Sequence, residues 1–325
     1  MTYGRPVTSR YTRVLATLLL CGAVAVGLPD RTSAAISEEV PASSRQDRLL
    51  WADDGTGLRN LHIRSSRADG TGMRRVYDNR RGFTMALVPS PNGRRVAFVT
   101  CCTDDIPLLV VAPTKGGRHL APLKAHPELE AADGLAWSPD GTRLAFRAIL
   151  TEGEQRVASI WTIRLDGTDL QRVLTLGAVL PDGGSEIHDT MVWTDEGILY
   201  AEAGQLRLAT AGTSTVVMDR VGDVRVTPDG RWLVLRRFNG LDQQVWMARP
   251  DGTGARKVLQ WDLDGSRFMY HSVVPNRDGS RLLAYRMELR SADGRDEWIA
   301  WDTAEGPRSH ERLPVRNDAS AITWY

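Results

Sequence analysis

A short pattern recurs along this chain, and a repeat of this length leaves few folds open. Its clearest copy is GLAWSPDGTRLAFRAI at 134–149, followed by ASIWTIRLDGTDLQRVLTL at 158–176. An apolar strand ends at Trp137, and Ser138-Pro139-Asp140-Gly141 turns the chain. A second strand alternates Leu144, Phe146 and Ala148, a third carries Ile160, Trp161 and Ile163, and Asp166-Gly167 turns into Leu170–Leu174. Pro presets φ, and Asp-Gly supplies the positive φ that tight hairpins demand. Equivalent pairs of segments run at 90–99 and 107–123, 194–203 and 205–218, 227–237 and 244–259, and 276–287 and 297–313. The first-turn glycines fall at 93, 141, 197, 230 and 279, spaced by 48, 56, 33 and 49 residues.

Two fragments complete the set. DRLLWADDG with LHIRSSRADGTGMRRV, near the N-terminus, lacks a first strand, and SAITWY at the C-terminus reads as a first strand with nothing after it. Together they make a sixth unit, in which the C-terminal strand lies innermost. Such a split unit closes a ring of small sheets without an open edge. The expected fold is all-β: a six-bladed β-propeller of four-stranded antiparallel blades over residues 48–325, with residues 36–47 as a solvated linker. The pattern SPDG-x-x-[LIV]-A-[FY], then [IV]-W-x-x-x-x-DG, resembles the WD40-like repeat of the TolB-type six-bladed propellers. TolB itself carries an α/β domain ahead of its propeller. Here only the linker precedes the first blade, so TolB's own partners and envelope role do not transfer with the resemblance. Propellers host many functions, so the resemblance speaks for fold.

The first 35 residues read as a secretory signal. Arg5, Arg10 and Arg13 precede an apolar run from Val14 to Leu28, and Ser33-Ala34-Ala35 offers a cleavage site. Fifteen apolar residues fall short of the about 20 that a spanning helix needs. An uncleaved anchor is the alternative, and bulky Leu20 before Cys21 argues against a lipid attachment motif. The mature protein is therefore expected to be exported (secreted, periplasmic or surface-associated), monomeric and without a membrane span. Removing the signal leaves Cys101 and Cys102, which are adjacent and can at most form a vicinal disulfide. A net charge of +1 argues against nucleic acid as a partner.

No G-x-S-x-G, H-E-x-x-H, P-loop or EF-hand spacing occurs. The residues placed to do chemistry are those that begin each innermost strand, because these converge around the axis. Counting back from the strand ends selects Asp133, His188, Asp189, Asp223, His271 and Asp318, with Met85 in the remaining blade. Such a ring could bind a ligand, or merely solvate the channel mouth. It could also hold a divalent metal through Asp189 and His271, or use His188 or His271 as a base. Propeller-built sugar-acid lyases and lactonases have sites of this kind. Two functions follow. The preferred one is a non-enzymatic binding module, with no cofactor, whose loops meet a protein, peptide or glycan; the other is a metal-assisted lyase or hydrolase. Trp137, Trp193, Trp324, Trp161 and Trp246 recur in register and are expected to pack between blades. Trp51, Trp232, Trp261, Trp298 and Trp301 break that register and are expected at the surface.

Overall fold

The computed structural model describes residues 47–53, 61–79, 83–101, 108–179, 190–262, 266–288, 296–315 and 319–325. The expected signal and Cys102 lie outside them, as do the side chain of Cys101 and most of the linker. Among the described residues no helix is long and apolar enough to cross a membrane.

The strands form six antiparallel sheets. The first joins β1 (Arg48–Asp53), β2 (Leu61–Arg67) and β3 (Arg74–Asn79) to the last strand, β23 (Ala319–Trp324), in the order β23-β1-β2-β3. The second contains β4 (Phe83–Pro89), β5 (Arg95–Cys101) and β6 (Leu108–Pro113), extended by a bridge between Val111 and Leu120. The third is β7 (Leu129–Trp137), β8 (Arg143–Glu152), β9 (Gln155–Arg164) and β10 (Gln171–Ala178). The fourth is β11 (Met191–Thr194), β12 (Gly197–Glu202), β13 (Gln205–Thr210) and β14 (Thr213–Asp219). The fifth is β15 (Val221–Val226), β16 (Leu233–Asn239), β17 (Asp242–Ala248) and β18 (Arg256–Asp262). The sixth is β19 (Phe268–Pro275), β20 (Arg281–Glu288), β21 (Glu297–Asp302) and β22 (Glu311–Arg312). The innermost strands touch in the cycle β23, β4, β7, β11, β15, β19 and back to β23, so the sheets are the six blades of a propeller. The split first blade is the one expected from the two terminal fragments.

The turns explain why the chain folds back where it does. Ser138 Oγ donates to Asp140 Oδ1 at 2.6 Å and accepts from the Arg143 amide at 2.9 Å, while Asp140 Oδ1 accepts from the Thr142 amide at 3.0 Å. Ser90 with Asn92 and Thr227 with Asp229 repeat the arrangement. Gly141 sits at φ +68°, open to glycine at little cost. Gly167, in the second turn of the same blade, is at φ +85°, and a Cβ there would lie 2.8 Å from the Pro122 carbonyl oxygen of the preceding segment.

The core is distributed over six clusters, one between each pair of consecutive blades. Leu109 and Val111 meet Phe146 and Ile163, for example, and Leu199 and Leu206 meet Val224 and Leu235. Both faces of each sheet are therefore covered. This corrects the surface expectation for four tryptophans. Trp51 and Trp298 are buried between the sixth and first blades, and Trp261 and Trp301 between the fifth and sixth. A strand buried on both faces can place a tryptophan on either one, so a break in register does not mean exposure. Trp232 is partly buried and stacks under Arg249, 4.8 Å from its ring centre.

Candidate functional site

Five of the six inner strands carry a register break where they enter the channel. On β7 it falls at Gly134, on β15 at Gly222, and on β23 between the residues paired with Ala52 and Asp53. On β4 it spans Ala86-Leu87 and on β19 Ser272-Val273. Gly134 has φ +59°, and Ala86 and Ser272 hold the same left-handed conformation, each at φ +51°. A non-glycine residue pays about 1–2 kcal/mol for that geometry, and bulges of this kind re-aim side chains and cluster beside functional sites.

The expected site residues fall unevenly. His188, Asp189 and Asp318 lie outside the described residues; Asp133 ends one step before the Gly134 bulge, and its side chain is not described. Asp223 and His271 are placed on neighbouring inner strands, β15 and β19. Asp223 Oδ1 is 3.4 Å from Arg225 Nε, an ion pair without hydrogen-bond geometry in which both atoms are buried. His271 is half-buried, and burial, then the positive charge of Arg236, lowers its pKa from 6.5. Arg236 is also the register partner of Asp223 on the neighbouring strand β16. Among the described residues no three His, Cys, Asp or Glu side chains come together as a metal site. His62 lies within β2, with Nδ1 3.0 Å from Asp78 Oδ1.

A cavity of about 440 Å³ occupies the axis, lined by residues of all six inner strands and opening among their first turns. Its walls are Leu87, Val88, Leu135, Ala136, Val192 and Val274, with Trp137, Trp193 and Trp324 following them toward the turns. Pro91, Pro139, Pro228 and Pro250 edge the opening, with Asp195, Glu196 and Asp229 beside them. Arg225 is the one cation among the described lining residues. The count from strand ends did not select Arg225 or Arg236, because it looked for carboxylates and imidazoles. The signal was present: Arg225 interrupts the apolar run Val224-Arg225-Val226, where the other blades read Leu-Ala-Trp, Met-Val-Trp, Ile-Thr-Trp, Leu-Val-Pro and Val-Val-Pro.

No protein-family model and no curated protein matches the sequence. Among solved structures, TolB from Acinetobacter baumannii is similar with a TM-score of 0.60 and 17% identity, over 86% of this chain and 67% of that one. An oligogalacturonate lyase in complex with manganese gives 0.54 and 13%, over 83% of this chain and 74% of that one. An oligogalacturonate lyase from Vibrio parahaemolyticus gives 0.53 and 13%, over 82% and 74%. At these identities the likeness shows the six-bladed propeller fold, shared by a protein named TolB and by a lyase.

Proposed function

We propose that this chain is an exported, non-enzymatic binding module that receives a segment of a protein, peptide or glycan at its central channel, in the cell envelope or outside the cell. The observation that carries the reading is the axial cavity of about 440 Å³, apolar in its walls and aromatic and proline-rich toward its opening. Cavities of this size and lining are the usual form of a ligand site. Aromatic and proline surfaces favour stacking and apolar contact over chemistry. Export rests on the basic, apolar and small-residue succession of residues 1–35.

The test is binding to peptide and glycan arrays by the wild-type protein and by Val88→Trp, which fills the channel from a partly exposed wall position. Loss of an array ligand in the variant, with the β-sheet circular dichroism unchanged, is the expected result. Ligands retained in full by the filled variant would overturn the channel as the site. N-terminal sequencing of the exported protein checks the leader, with Ile36 as the expected first residue.

One observation favours a second reading. The lowered pKa of His271 keeps its imidazole neutral near pH 7, the form that serves as a base or a metal ligand. With Asp189 it would hold a divalent ion for a metal-assisted lyase or hydrolase, with His188 as a further base. Metal content of protein purified without chelator decides this. A stoichiometric divalent ion lost in Asp189→Ala/His271→Ala supports the enzyme, and metal-free wild type counts against it.

A further inference from the structure

Arg225 is out of place for its level in the channel. The residue just before the Trp, Val or Pro that closes each inner strand is Val88, Ala136, Val192, Arg225, Val274 and Thr323 around the ring. Five small or apolar side chains thus share a level with one guanidinium. Thr323 spends its hydroxyl on the Trp324 carbonyl at 3.3 Å, so it adds little polarity to the wall. The carboxylate that faces the guanidinium, Asp223, meets it only at Nε and only as a 3.4 Å ion pair. Its Nη groups make no hydrogen bond among the described residues, and the side chain, which lines the cavity, is 32% exposed.

A guanidinium beside apolar walls is poorly hydrated, and an arriving anion gains more from it than from a surface arginine. Its planar fork suits a carboxylate, which can accept two parallel hydrogen bonds. The walls select further. A bare inorganic anion would leave Val88, Val192 and Val274 in contact with nothing apolar, and it would have to pass Asp195, Glu196 and Asp229 at the opening. Asp195 and Glu196 are exposed and have no charged partner among the described residues. The complementary ligand therefore carries its negative charge at the inner end, an apolar body, and a positive charge at the outer end. Ser272, on the strand next to Arg225, lines the same wall in its left-handed conformation and offers a second donor.

We propose that the channel recognises the free carboxyl terminus of a short apolar peptide, with its carboxylate on Arg225 and a basic group of the peptide at Asp195 and Glu196. This rests on the reading of the channel as the binding site.

The test uses tripeptides Lys-Val-Xaa, with Xaa Ala, Val, Leu or Phe, each as the free acid and as the C-terminal amide. Binding is followed by tryptophan fluorescence, since Trp137 and Trp193 line the cavity, and by calorimetry. At least one acid should bind, with its amide at least about tenfold weaker. Arg225→Gln should bring the acid-to-amide ratio close to one, Arg225→Lys should keep part of it, and Asp195→Asn/Glu196→Gln should weaken the acid severalfold. Should Arg225→Gln fail to fold, Asp223→Asn/Arg225→Gln removes both charges together and carries the same expectation. Equal binding of acid and amide, both lost in Val88→Trp, overturns the carboxylate proposal and leaves the channel reading standing. If none of the acids binds, the proposal is likewise overturned. If, in addition, array ligands survive Val88→Trp, both readings fail.

Discussion

The indole Nε1 of Trp137 donates a hydrogen bond to the backbone carbonyl of Val88, 3.0 Å away, and so ties inner strand β7 to inner strand β4. The acceptor is on the neighbouring blade, and both residues line the axial cavity. Trp137→Phe keeps most of the ring but leaves that carbonyl without its donor. The expected loss is about 1–3 kcal/mol, read as a lower urea midpoint at unchanged m value.

Tyr325 closes the first blade from the other side. Its hydroxyl accepts from Arg48 Nε at 2.9 Å and Arg74 Nη2 at 2.8 Å, and shares a proton with Ser65 Oγ at 2.6 Å. Its amide donates to the Arg48 carbonyl at 3.0 Å. Tyr325→Phe should therefore cost about 1.5–3 kcal/mol, the range for hydrogen bonds to charged groups. Amide exchange should speed up first in β23 and β1; uniform acceleration across all blades would contradict a local latch.

Acid should unfold the protein through its turns. Hydrogen bonds from Ser138, then from Thr142, hold the Asp140 carboxyl below its ordinary pKa of 3.8. Thr168 does the same for Asp166, and Thr253 for Asp251. Because the folded values are lowered, the unfolded chain takes up protons first as pH falls. The stabilisation is complete above the ordinary carboxylate range, about 3.9, and disappears as pH drops through the lowered values. Asp140→Asn should be less stable than wild type at pH 7 and show a shallower loss below about pH 4.

His271 titrates with the same sign in a different window. Its folded pKa is lowered from 6.5, by burial first and by Arg236 second. Its contribution is present in full above 6.5 and is lost as pH falls from there through the lowered value. A histidine NMR titration should place His271 below 6.5. His271→Gln should flatten the stability profile below pH 6.5.

The bulges reverse an ordinary rule for glycine. Ala97→Gly, at a fully buried position of β5, should lose at least about 1 kcal/mol from lost contacts and backbone entropy. Ala86→Gly loses the same methyl but releases a residue from φ +51°. It should therefore stay within about 0.5 kcal/mol of wild type, because the relief of about 1–2 kcal/mol offsets the loss. Paired urea melts of the two variants check this.

The repeat, its turns and the closure of the ring are legible in the amino-acid order alone. Ser-Pro-Asp-Gly and Asp-Gly-Thr act locally: each turn is made by side chains one to five residues apart, so it is legible in a single stretch of chain. The split first blade was legible for a similar reason, since two incomplete copies of one pattern complement each other. Tertiary structure decided which face of each strand meets a neighbour. Trp51, Trp261, Trp298 and Trp301 are buried because blades cover both sides of a sheet, which alternation along one strand does not encode. It also decided how far each inner strand advances per residue. Bulges at Gly134, Gly222 and Ser272 shift the register by a residue, so counting from strand ends selected Asp223 and His271, which are not among the residues lining the cavity, and passed over Arg225, which is. The isolation of that guanidinium is a property of the ring: five other strands supply the apolar level around it, and only the closed propeller brings them together.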